Sequence, residues 1–290
     1  MTYTIKNKFL SVTAKSLGAE LTSIKNLKNG TEYLWQGDAA YWEEQAPNVF
    51  PVCGRLTENK YTYRGKTYFL QRHGFARTSE FELLKKDETS LTFILKANDK
   101  TRQAYPFEFE YTVTYILDKN TLKTIYSAKN HGKNVMYCAF GGHPAFNVPL
   151  DADGNFEDYY IEFKSGSTQT ELLFKDFLFT GNFKPFKVNK NRLDLKRDFF
   201  IHDAHFIIES GGQCVLKSTK SDKSITVTYP QMKYLALWHT FDLPAPFLCI
   251  EPWTSIHSYY GKIDDLETKL DMFSLSSGEE KSTGFDITIN

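Results

Sequence analysis

Between residues 107 and 115 apolar and polar side chains alternate one for one. Phe107, Phe109, Tyr111, Val113 and Tyr115 fall between Glu108, Glu110, Thr112 and Thr114, the period of a strand with one face buried. The pattern continues to residue 130 across Asp118-Lys119-Asn120 and predicts a hairpin there. Similar signals predict hairpins over 61–70, turning at Arg64-Gly65, and over 81–99, turning at Asp87-Glu88. Residues 9–15 and 19–27 read as strands on either side of Gly18. In the second half, 158–165, 213–219, 224–230, 234–240 and 247–253 are strand-like, and 277–290 closes with one more strand. Residues 47–57, between Pro47 and Pro51 and beyond, read as a loop or strand edge. A short helix is expected over 38–45 with Asp38 as its N-cap, and 257–275 as a second short helix or an irregular connection. No sustained helical period, repeat or linker appears. The expectation is an all-β fold, a large antiparallel β-sandwich with few short helices, formed by residues 1–290 as one domain. Its binding site should lie on a concave sheet face or on the loops around it.

Composition narrows the function. The 290 residues are ample for a sizeable core. Lys+Arg and Asp+Glu are both 35, so no global field favours nucleic acid or an anionic membrane. Aromatics reach 16%; they suit strands and also surfaces on which the C–H faces of sugars stack. The N-terminal stretch has no apolar run of signal-peptide length, and no segment has membrane-spanning character. Cys53, Cys138, Cys214 and Cys249 are scattered in or beside apolar runs without a CxxC pair. They read as reduced, buried thiols of a cytoplasmic protein.

The candidate chemistry lies in polar residues framed by glycine, proline and aromatic neighbours. His143 sits in CAFGGHPAFNVPL (138–150), between a Gly-Gly pair and a proline. Glycine permits unusual torsions and proline fixes φ, so the histidine is pinned toward one direction. A buried, hydrogen-bonded histidine in a strand corner would leave the same local sequence. Glu251 sits in FLCIEPW (247–253), where loss of solvation raises a carboxyl pKa and suits a general base near neutrality. The alternative is a glutamate that anchors a strand end. Arg55 in CGRL and His73 and Arg77 in RHGFAR complete the set. A metal on His73, His143 and Glu251 is not expected, because no H-x-H or H-E-x-x-H cluster is present. His202 and His205, three apart in a strand-like stretch, should flank Asp203 on opposite faces. His239 could face the site or the core, and His131 and His257 read as turn and surface residues.

Taken together and in this chain order, CGRL, HGFAR, GGHPAFN and IEPW resemble the aldose 1-epimerase (galactose mutarotase) family. The likeness covers nearly the whole chain and points to the branch containing the LacX-type proteins of lactic-acid bacteria. HPAFN is the most specific piece and IEPW the next. The resemblance implies a galactose mutarotase-like β-supersandwich and interconversion of the α and β anomers of free aldoses. By its pattern His143 matches the general acid and Glu251 the general base. His73 matches a second active-site histidine and Arg55 a sugar-binding arginine. FIHDAHFII (200–208) resembles the family's Asp-x-x-Phe segment and assigns Asp203 to sugar hydroxyls. GRL and HGFAR depart from the commoner Asn-Arg and His-Gly-Gly forms, which leaves the identity of the sugar open.

The residue types fit that chemistry in their own right. A base removes the O1 proton while an acid protonates the ring oxygen; the opened chain rotates about C1–C2 and closes from the other face. No metal, nucleotide or other cofactor is required. The acid and base are expected to face one pocket, about a sugar ring apart. A glycosidase would need two carboxyls, and only Glu251 is a strong candidate. A lectin-like binding module is the rival from another class, and it has no need of a desolvated Glu251 opposite His143. Arg55, Arg72 and Arg77 keep a hexose 6-phosphate open as substrate, unless some of them pair with carboxylates. The expected partner is a small sugar, free or phosphorylated, with the protein a monomer or homodimer that binds neither nucleic acid nor membrane.

Overall fold

A computed structural model describes residues 1–164, 166, 168–240 and 242–290, with the backbone alone at 168. Two large antiparallel sheets dominate. The nine-stranded sheet runs in the order Arg192–Asp194, Tyr159–Phe163, Gln213–Ser218, Ser224–Thr228, Glu280–Ile289, Thr121–Asn130, Phe109–Asp118, Ser90–Lys96 and Glu82–Lys86. The second runs Leu178–Lys187, Thr168–Lys175, His205–Ile208, Tyr234–Trp238, Phe247–Trp253, Gly141–Gly142 and Asn48–Val49. Ala145–Asn147 also pairs with Phe247–Trp253. Smaller strands at Thr2–Lys6, Leu10–Lys15 and Leu21–Asn26 form a third sheet. The large antiparallel β-sandwich expected from the alternating pattern is the observed architecture.

Burial follows the sequence period. Phe109, Tyr111, Val113, Tyr115 and Leu117 are buried while the residues between them are not, and Leu122, Tyr126 and Ala128 answer from the next strand. These side chains join one core that draws on residues from Ile5 to Ile289. Phe247–Trp253 is buried along its whole length. Leu248 and Ile250 enter this core, while Cys249, Glu251 and Trp253 alternate onto the other face. The expected hairpins at Arg64-Gly65, Asp87-Glu88 and 118–120 are present, and 47–57 supplies the edge strand Asn48–Val49. The strand expected over 158–165 is Tyr159–Phe163; Ser165 lies outside the described residues.

Two expectations are corrected. Residues 38–45 form a single turn rather than a helix, with the Tyr41 and Trp42 amides donating to the Asp38 carbonyl. Tertiary partners take the groups a helix would use. The Trp35 indole donates to the Trp42 carbonyl at 2.8 Å, and the amides of Gln45 and Ala46 donate to the Glu20 carboxylate. Among the described residues the α-helix is instead Asp99–Ala104, where the hairpin reading placed none. It is set by a capping box between Asn98 and Thr101 and ends before Pro106. Residues 257–275 take the irregular form, apart from the strand Phe273–Leu275. All four cysteines are free and buried. Among the described residues, no helix is long and apolar enough to cross a membrane.

Candidate active site

Strand register brings the two central residues together. Gly141 is opposite Trp253, and Ala145 is opposite Cys249. Two residues in from either pair, His143 and Glu251 face each other across the same strand boundary. Neither Gly141 nor Gly142 has a positive φ, so the expected torsional role of the pair is not what the fold uses. What it uses is their lack of a side chain. A Cβ on Gly141 would lie 2.6 Å from the Trp253 ring, and one on Gly142 2.4 Å from Phe285. The pair lets the segment pack flat beneath two aromatic rings.

The His143 Nε2 lies 3.2 Å from the Glu251 Oε2, with the two side chains 11% and 2% exposed. The acid–base candidates share one pocket, as expected, but they touch instead of standing a sugar ring apart. The His143 ring packs on Trp42 at 5.1 Å and meets Trp238 and His73 edge-on. Its Nδ1 is buried without a partner among the described residues. Burial, followed by the charge of Arg72, pushes the imidazole down to about 3. Burial, reinforced by Asp203 and opposed by Arg72, raises the Glu251 carboxyl well above its ordinary range. Both shifts favour a neutral pair that holds one proton between its members.

His73 and Arg55 reach the same pocket through one clamp. The His73 amide donates to the Gly54 carbonyl at 2.9 Å, and the Gly54 amide donates to His73 Nδ1 at 3.3 Å. Nε2 therefore carries the remaining proton of a neutral ring, whose pKa is held well below the ordinary value by burial and then by His143. His73 has a φ of 66°, a left-handed conformation uncommon outside glycine and enriched at functional sites. The Arg55 guanidinium lies over the Phe177 ring at 4.5 Å.

Asp203 follows the 3-10 turn Arg197–Phe200 and also has a positive φ. Burial raises its carboxyl pKa, opposed by the Trp238 side chain. Trp42, Glu44, Arg72 and His257 line the pocket with the six residues singled out from the sequence. Arg77 is committed to Glu44, bonded through Nε at 2.9 Å and through a second guanidinium nitrogen. Arg72 is exposed and makes no ion pair among the described residues.

His257 was expected at the surface but is 7% exposed and lines the pocket. Its Nδ1 donates to the Phe177 carbonyl at 2.7 Å. A Cβ on Gly54 would lie 2.3 Å from its ring. The local sequence around His257 carries no sign of this, because the contact spans some two hundred residues. His205 and His239 have structural partners. His205 joins Glu171 and the Phe199 carbonyl, each at 2.6 Å, and only it lies in the strand, so the opposite-faces expectation for His202 and His205 does not apply. His239 is a core residue that donates to the Phe247 carbonyl and contacts Arg197 at 2.9 Å. His131 pairs with Glu110 near the surface, as expected. Among the described residues, His143, Cys249 and Glu251 could supply a metal with donor atoms all within 4.8 Å of one another. Burial holds the Cys249 thiol protonated, its pKa raised well above the ordinary value.

Comparison with known proteins gives a consistent picture. Residues 1–260 match the family model described as aldose 1-epimerase. The plasmid-borne and chromosomal LacX proteins of Lactococcus lactis subsp. lactis are each 36% identical over 301 aligned positions, covering 100% of this chain and 99% of theirs. A galactose mutarotase related enzyme from Lactobacillus acidophilus superposes with a TM-score of 0.96 at 34% identity, covering 100% of this chain and 97% of that one. A galactose mutarotase-like protein from Lactobacillus casei ATCC 334 superposes with a TM-score of 0.95 at 31% identity, with full coverage of both chains.

Proposed function

We propose, from the premise that this chain belongs to the aldose 1-epimerase family, that it interconverts the α and β anomers of a free aldose by acid–base ring opening. The observation that carries this reading is the buried His143–Glu251 contact at 3.2 Å, facing a pocket that also presents Arg55, His73 and Asp203. Residues 1–290 are read as one unit around a shared core.

A contact that short suits the reaction. The hydroxyl O1 and the ring oxygen are bonded to the same carbon, so acid and base need to reach two neighbouring oxygens, not opposite ends of a sugar. Transfer of the shared proton within the pair produces the carboxylate and imidazolium that ring opening uses. Glu251 then accepts the O1 proton while His143 protonates the ring oxygen. The bond from C1 to the ring oxygen breaks, and C1–O1 becomes a carbonyl. After rotation about C1–C2, closure on the other face returns both protons. His73, with a proton on Nε2, and Arg55 donate to sugar oxygens, and Asp203 accepts from hydroxyls. The free volume between these groups is about 50 Å³. A pure sugar-binding module would have no use for so costly a buried carboxyl–imidazole pair.

A second reading, a phosphorylated aldose, rests on Arg72, which has no ion pair among the described residues. Arg77 is already neutralised by Glu44, which leaves fewer free cations than the sequence offered and favours the neutral sugar. Polarimetry of freshly dissolved α-D-glucose and α-D-galactose, with and without protein, tests the proposal. Relaxation no faster than the buffer rate for these sugars and for their 6-phosphates would end it.

A further inference from the structure

Three buried nitrogens of residues lining the candidate pocket have no hydrogen-bond partner among the described residues: His143 Nδ1, Trp253 Nε1 and His257 Nε2. A buried polar atom left unpaired costs free energy, and a fold tolerates few of them. Gathered at one pocket, they point to a ligand that pairs them. His143 already serves the acid–base reading, whereas Trp253 and His257 have no part in it. These two are 2% and 7% exposed.

Each of the two nitrogens has a single polarity. An indole N–H can only donate. In His257 the Phe177 carbonyl lies 2.7 Å from Nδ1, a contact that requires the proton on that nitrogen. The Arg55 amide approaches the same nitrogen at 3.2 Å; this is the longer contact and does not decide the tautomer. Burial keeps the ring neutral, with its pKa pushed down to about 3. Nε2 therefore holds a lone pair and can only accept. The ring is also fixed in place. It stacks on Trp253 at 5.7 Å and meets Phe174 and Phe206 edge-on at 5.1 and 5.0 Å. An uncharged, immobile acceptor suits an O–H group. It has nothing to offer an ionised phosphate or carboxylate, which carries no proton to give.

We infer that His257 is a further specificity-determining residue, whose Nε2 accepts a hydrogen bond from one hydroxyl of the bound aldose while the Trp253 indole donates to a sugar oxygen beside it. The ligand is then an aldose with a free hydroxyl at that position. A sugar that lacks the hydroxyl, or carries an ester there, leaves Nε2 buried and unpaired and is rejected. This inference rests on the aldose reading above for the presence of the sugar in the pocket.

The test is calorimetric titration of the full-length protein with glucose and its monodeoxy analogues, alongside polarimetry. At least one analogue should bind the native protein about tenfold more weakly than glucose. In His257→Leu glucose should weaken by about tenfold and that analogue should not, so that the two bind alike. KM for glucose should rise with kcat within about threefold. His257→Gln, which keeps an acceptor near the position of Nε2, should restore most of the difference. A merely structural role would weaken glucose and every analogue equally, and that result would overturn the inference. So would a difference between glucose and the analogue that survives in His257→Leu. If His257→Leu does not fold, nitrogen NMR of the native protein labelled at histidine reads the contact directly. The His257 Nε2 resonance should shift with saturating glucose and not with the analogue; no shift with glucose would overturn the inference. Discrimination that depends on His257 without any mutarotation would support the contact while removing the epimerase reading.

Discussion

His143 stands directly across a strand boundary from Glu251, with Nε2 3.2 Å from Oε2. Two flanking residue pairs, Gly141 with Trp253 and Ala145 with Cys249, impose that alignment. Strand pairing is rigid, so the two side chains are held in place before any sugar arrives.

Replacing either member should abolish the chemistry while keeping the shape. Glu251→Gln and His143→Asn should each lower the catalysed mutarotation rate by ~10²–10⁴-fold. Sugar binding by calorimetry should persist. Retention of more than half the activity by either variant, measured by polarimetry, would falsify the assignment of the pair.

The pair should also flatten the pH profile. The active form holds one proton between the two groups. Burial pushes His143 down to about 3 and raises Glu251, so neither a second proton nor loss of the first occurs readily near neutrality. The catalysed rate, corrected for buffer catalysis, should be level from about pH 5.5 to 7.5. An acidic limb centred at the ordinary histidine value of about 6.5 would mean that His143 is not held neutral.

Acid should destabilise the fold through its buried histidines. Burial lowers His257 to about 3 and His239 to about 4, below the value of the unfolded chain. As pH falls below about 6.5, the unfolded state takes up protons that the native state refuses, so stability is lost progressively down to those lower values. Glu251 acts in the opposite sense, since its raised pKa makes the native state the better proton binder at higher pH. Comparison with His239→Gln isolates the histidine contribution. The melting temperature of the native protein should fall more steeply between pH 6.5 and 4.5 than that of the variant, and identical slopes would rule the contribution out.

Gly54 should be intolerant of any side chain. It has a φ of 73°, and its Cβ would meet the His257 ring at 2.3 Å. Gly54→Ala is expected to cost ~1–3 kcal/mol of stability and to displace both His73 and His257. Denaturant melts and polarimetry should register both effects; a variant as stable and active as the parent would show that the ring yields freely.

Arg72 should matter little for a neutral sugar. Arg72→Ala is expected to slow mutarotation of glucose by no more than about tenfold, because the guanidinium has no ion pair among the described residues and acts on His143 and Glu251 only through its charge. A loss of about a hundredfold, confined to glucose 6-phosphate, would instead make the phosphorylated aldose the physiological class.

What the sequence determined by itself was whatever depends on near neighbours in the chain. Alternation from Phe107 to Tyr115 declared strands, because a half-buried strand must repeat every two residues. GGHPAFN and IEPW marked His143 and Glu251, because an ionisable residue set among apolar, glycine and proline neighbours is conspicuous in one dimension. Tertiary structure decided the rest. The direct contact of His143 with Glu251 is a matter of register between segments about a hundred residues apart, and register is set by long-range pairing. His257 was unreadable because its neighbours carry no motif and its burial depends on Gly54, far away in the chain. The turn at 38–45 replaced a helix because the Trp35 indole and the more distant Glu20 carboxylate took its hydrogen-bonding groups. Of the three arginines, folding paired Arg77 with Glu44 and left Arg72 without an ion pair among the described residues, a choice made by which side chains meet in space and invisible to any count of charges.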